Sequence, residues 1–107
     1  MLKHFTNDNF AGEVLEASKT KPVLVDFFAT WCGPCQMQAP IIEEVAAAAG
    51  DTAVVGKLNT EEAMQVAQTY GVMSIPTLII FKDGQEAKRL VGVQLKDELL
   101  AELKNLS

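Results

Sequence analysis

Apolar positions along this chain fall into short runs whose spacing changes repeatedly between that of a strand and that of a helix. A short strand is expected over Leu2 to Phe5. Thr6 to Ala17 then places Phe10, Val14 and Leu15 on one side, the mark of an amphipathic helix, with Thr6 or Asn7 available as its cap. Val23-Leu24-Val25-Asp26-Phe27-Phe28 is nearly continuous in β-branched and aromatic residues, which predicts a central strand buried on both faces. Asp26 is the odd residue in that run. From Cys35 to Ala49, Ile41, Ile42, Val45 and Ala49 recur at helical spacing, and Gly50-Asp51 supplies the stop. Pro40 falls inside this helix and should kink it.

Ala53 to Leu58 reads as another strand, with Ala53, Val55 and Lys57 on one face. Thr60 to Tyr70 forms a helix capped by Asn59 or Thr60 and ended by Gly71. Thr77 to Phe81 and Ala87 to Val91 are strands, and Asp83-Gly84 between them marks a tight turn and an antiparallel hairpin. Leu95, Leu99, Leu103 and Leu106 lie along one face of a closing helix. The order βαβαβαββα implies parallel crossovers early and antiparallel pairing late, hence an α/β fold: a mixed sheet with helices on both faces. No linker or internal repeat divides the 107 residues, so one domain over 1–107 is expected.

Composition narrows the function classes. With 49% hydrophobic and 21% charged residues, the chain can build a core and is not a disordered segment. Nine basic against fourteen acidic residues give a net charge of -5, which disfavours nucleic acid and anionic membrane surfaces as partners. No apolar run approaches the roughly 18 residues of a membrane span. The start Met1-Leu2-Lys3-His4-Phe5-Thr6 lacks the apolar stretch of a signal peptide, so a cytoplasmic location is expected. The methionines at 37, 64 and 73 read as packing residues, and His4 as a bystander.

The chemistry gathers at two cysteines in Trp31-Cys32-Gly33-Pro34-Cys35. Two are too few for a disulfide framework, and a bridge across so short a loop adds little stability. A zinc site normally needs four ligands, and His4 is the only histidine available. The pair lies where the buried strand ends and a helix begins, the end of an α/β sheet that commonly carries the site. Cys32 at the helix N-terminus would have its thiolate favoured by free N–H groups and the helix dipole, lowering its pKa from about 8.5. Cys35, one turn later, is within bonding reach and deeper. An exposed nucleophile and a covered resolving thiol are expected.

The sequence resembles the thioredoxin family. The likeness rests on the Trp-Cys-Gly-Pro-Cys run together with Asp26, Pro40, Lys57, Ile75-Pro76-Thr77, Asp83-Gly84 and Gly92 in family order, and it spans essentially the whole chain. It implies a central mixed five-stranded sheet flanked by four helices, and reduction of protein disulfides by thiol–disulfide exchange. Cys32 would attack, Cys35 would resolve the mixed disulfide, and Asp26 would accept or relay the Cys35 proton, with Lys57 modulating its charge. Pro76 would be cis, and Ile75 would offer backbone groups to an extended substrate. Trp31, Gly33, Pro34, Ile75, Pro76, Gly92 and Val93 would form the docking surface. No cofactor beyond the cysteine pair is implied; the partners would be disulfide-containing proteins and thioredoxin reductase, and the chain would be a monomer.

Some positions depart from the family pattern. Gln36 stands where a basic residue commonly follows the second cysteine, Phe28 replaces a frequent Trp, and Met73-Ser74 replaces a pair that often holds Arg or Gly. These bear on redox potential and partner choice. Two other readings stay open at this level: an oxidant or isomerase on the same fold, and a binding module whose apolar site surface supports a larger complex.

Overall fold

The computed structural model describes residues 2–107. Five strands, β1 (Leu2–Phe5), β2 (Val23–Phe28), β3 (Val54–Asn59), β4 (Thr77–Lys82) and β5 (Gln85–Val91), form one sheet in the order β1-β3-β2-β4-β5. β3 runs parallel to both β1 and β2, whereas β4 is antiparallel to β2 and to β5. The expected mixed sheet is therefore present, and the strand read as central carries neighbours on both edges.

Helical elements cover both faces. An N-terminal segment winds in wide π turns over Ala11–Glu16 and tightens through a 3-10 turn at Ala17–Lys19. It ends two residues beyond the expected helix. Its entry is capped by Thr6, whose Oγ1 accepts from Asn9 N while Asn9 Oδ1 accepts from Thr6 N, a reciprocal box. Three α-helices follow: α1 (Gly33–Ala49), α2 (Met64–Thr69) and α3 (Lys96–Asn105). The N-terminal segment and α2 pack on the face carrying Val23, Val25 and Phe27 of β2, where Phe10, Tyr70 and Phe81 meet ring to ring at 5.2–5.5 Å. On the opposite face, α1 and α3 cover Leu24, Val55, Leu78 and Ile80. Alternation along β2 and β3 thus puts Asp26 on the α1 side of the sheet, together with Lys57.

Two helices differ from the periodicity. α2 begins at Met64 rather than Thr60. Asn59 Oδ1 accepts from the amides of Glu61 and Glu62, making a separate turn, and Ala63 leaves the helical region. The amide of Val66 is met from across the chain by Asn7 Oδ1 at 3.2 Å, so of the two residues offered as caps for the first helix, Thr6 serves there and Asn7 caps another. In α3, Leu99 and Leu103 are buried, but Leu95 lies before the helix and is exposed. The Asp83-Gly84 turn forms as expected, both residues having positive φ (57° and 83°), the geometry of a two-residue hairpin loop that Gly and Asp tolerate. Pro40 sits inside α1 on its exposed side. Among the described residues, no helix is long and apolar enough to cross a membrane.

Candidate active site

The site grows from the end of β2. After Phe28 the chain leaves the sheet, and Cys32 takes the N-cap position of α1 with extended backbone (φ -90°, ψ 116°). Pro34, in the first turn, lacks an N–H that a helix start would leave unpaired anyway. The amide of Cys35 points back and donates to Cys32 Sγ at 3.2 Å. A sulfur in that position fills the role that a Ser or Asp oxygen fills at an ordinary cap, and negative charge on it is favoured. The two cysteines are joined as a disulfide with Cα atoms 5.2 Å apart.

The expected contrast in exposure is absent. Cys32 is 5% and Cys35 4% accessible, so the bridge is covered almost equally at both ends. Ala29 packs with them, and Phe28 and Ile75 close in from the sides. Cys32 Sγ approaches the Ile75 carbonyl to 3.8 Å, which accounts for the covering of the first sulfur.

Three segments converge there. The Ile75-Pro76 peptide bond is cis, and Pro76 is buried. Gly92 has φ 89°, a conformation favouring glycine, and its amide donates to Pro76 O at 2.9 Å. Val93 follows, partly covered. Trp31 is 70% exposed beside Cys32, and Gly33 and Pro34 are exposed on the first turn of α1. Met73, two residues before Ile75, is 95% exposed, while Met37 and Met64 also face solvent. The methionines read as packing residues thus lie at the surface. Met37 sits on the outer side of α1 and Met73 in the loop leading to Ile75, where no core exists to receive them.

Asp26 lies on the α1 face of the sheet, two residues before Phe28, which packs against the dithiol. It is buried, its Oδ1 has no hydrogen-bond partner among the described residues, and it is paired in register with Lys57. Burial pushes its carboxyl up to about 7, against the opposing pull of the Lys57 ammonium. Lys57 itself is half-buried, its Nζ 5.5 Å from the centre of the Phe28 ring. The aromatic residue that departs from the family pattern therefore lies beside the ammonium that acts on Asp26. Gln36 points back along the chain, its Nε2 3.4 Å from Thr30 O.

One residue escaped the sequence reading. Gln38 is fully buried and exchanges two hydrogen bonds with the main chain of Gln94. The signal was available: position 38 falls on the apolar stripe of Cys35, Ile42 and Val45, where a polar side chain is as anomalous as Asp26 is in its strand. Among the described residues, no group of three or more His, Cys, Asp or Glu is placed to hold a metal ion.

The family model for thioredoxin matches residues 1–105. The chain is similar to the thioredoxin of Mycobacterium tuberculosis, 50% identical over 101 residues that cover 94% of this chain and 85% of that protein. It is also similar to the thioredoxin of Alicyclobacillus acidocaldarius, 54% identical over 83 residues covering 78% and 79% of the two chains. A third relative is a bifunctional thioredoxin reductase/thioredoxin from Mycobacterium leprae, 46% identical over 94% of this chain and 22% of that protein.

Proposed function

The chain belongs to the thioredoxin family, and from that premise we propose that Cys32 is the attacking sulfur and Cys35 the resolving one. It is a protein-disulfide oxidoreductase whose redox centre is the Cys32–Cys35 pair. The observation that carries the assignment is the helix-cap contact: Cys32 Sγ, not Cys35 Sγ, receives an amide N–H at the tip of α1. A thiolate formed there is stabilised, and the thiolate is the form that attacks.

In the reduced chain, the Cys32 thiolate attacks one sulfur of a partner disulfide. That S–S bond breaks, and its second sulfur leaves as a thiolate that takes up a proton. Cys35 gives its proton to Asp26 and attacks Cys32 Sγ, closing the Cys32–Cys35 disulfide and releasing the partner's other sulfur. The partner gains two electrons and two protons. A carboxyl held near 7 by burial suits Asp26 to this transfer, and Lys57 sets how far it is raised. Trp31, Gly33, Pro34, Ile75, Pro76, Gly92 and Val93 form the docking surface around Cys32, with the main chain of Ile75 offered to an extended partner segment.

The same reading gives one domain over residues 1–107, a monomer in the cytoplasm that uses no cofactor beyond its cysteine pair. A separate thioredoxin reductase recycles it, a pairing supported by the Mycobacterium leprae relative in which both are named in one protein. The reading is tested by insulin reduction with dithiothreitol as electron source. Wild type should accelerate the reaction, Cys32→Ser should abolish the acceleration, and Cys35→Ser should accumulate a mixed disulfide through Cys32. Wild-type rates equal to the uncatalysed rate would reject it.

A further inference from the structure

Gln38 follows Cys35 by three positions, so it projects from the same side of α1, one turn along. It is the only fully buried polar side chain of that helix. Gln94 N donates to Gln38 Oε1 at 2.7 Å, and Gln38 Nε2 donates to Gln94 O at 3.0 Å. A carboxamide that meets both main-chain groups of one residue fixes that residue in both distance and orientation, because the donor and acceptor are not interchangeable. Gln94 in turn ties down its own loop, its Nε2 donating to Val91 O and Gly92 O at 3.2 Å each. Gly92 N reaches Pro76 O at 2.9 Å, and Ile75 O lies 3.8 Å from Cys32 Sγ. The contacts form a closed circuit from α1 through the 92–94 loop and the 75–76 loop back to the dithiol.

We propose that Gln38 is a positioning residue for protein substrates: it sets the Gly92–Val93 wall at a fixed place relative to the sulfur pair carried by the same helix. The proposal rests on the assignment of Gly92 and Val93 to the docking surface. A protein disulfide must meet that wall and Cys32 together. A small aromatic disulfide needs the sulfur alone, so the two substrates separate positioning of the wall from reactivity of the thiol.

Gln38→Leu keeps most of the side-chain volume but leaves Gln94 N and O without their partner, and the loop must move to recover hydrogen bonds. The test compares insulin with 5,5′-dithiobis(2-nitrobenzoic acid) as oxidants of reduced wild type and variant. For insulin, KM should rise about tenfold with kcat little changed, while the rate with the small disulfide stays near that of wild type. Amide exchange at Gly92 and Gln94 should quicken in the variant. Gln38→Met, a flexible apolar replacement, serves equally if Gln38→Leu does not fold. An unchanged KM for insulin, or an equal loss with both oxidants, would overturn the proposal. Wild type inactive on insulin would instead overturn the function on which it rests.

Discussion

Asp26 and Lys57 stand side by side in the β2–β3 register, the carboxyl buried and the ammonium only half so. The ammonium does not compensate for the burial, and the Asp26 carboxyl remains raised to about 7. Evolution of a more stable strand would replace such a group. Its burial with one oxygen unpartnered is a stability cost, and the proposed proton transfer is a reason for keeping it.

That cost has a definite pH dependence. Asp26 holds its proton up to about pH 7 in the folded chain but loses it near 3.8 when unfolded. Between those values the folded state binds more protons, so the contribution of Asp26 to stability falls as pH rises and levels off above about 7. Asp26→Asn removes the ionisation. Denaturant unfolding should show the variant equal to wild type near pH 4 and more stable by roughly 4 kcal/mol at pH 8, from a shift of about three units at 1.36 kcal/mol each. A stability gain independent of pH would contradict the assignment.

Lys57 lowers the Asp26 carboxyl from where burial alone would put it. Lys57→Met should therefore move the Asp26 midpoint above that of wild type, and the pH at which Cys35 resolves a mixed disulfide should move with it. A carboxyl-carbon NMR titration of the two proteins measures this directly. An identical midpoint would mean that the ammonium is screened from the carboxyl.

Gly56 pairs with Lys3 in the β1–β3 register. A Cβ placed there would lie 2.7 Å from Phe5 Cζ and 2.8 Å from Lys3 Cβ, well inside contact distance. Gly56→Ala should destabilise the chain by about 2 kcal/mol, because Phe5 is fully buried and has nowhere to go. Urea unfolding of the oxidised proteins measures the difference, and an unchanged midpoint would show that β1 can shift freely.

How far these relationships were legible in the sequence depends on the range of the interaction. The run Val23 to Phe28, the Asp83-Gly84 turn and the Leu99/Leu103 stripe express local rules, and each forms where the pattern puts it. Sharing of a face by Val55 and Lys57 follows from strand alternation alone. The start of α2 did not, since its cap comes from Asn7, 59 residues away in sequence. The near-equal covering of Cys32 and Cys35 was also hidden, because Ile75 approaches from a loop some forty residues later, at a separation of 43. Gln38 shows a different failure: the anomaly was visible, but its partner is a main chain at position 94, which no side-chain pattern announces.

The most direct test of the sulfur chemistry is alkylation of the reduced protein by iodoacetamide as a function of pH, with Cys35→Ser used to isolate Cys32. The amide contact and the N-terminal end of α1 predict a thiol that reacts at neutral pH well ahead of a free peptide cysteine, with its midpoint below about 8.5. A rate and midpoint matching the free peptide would contradict the account at its centre.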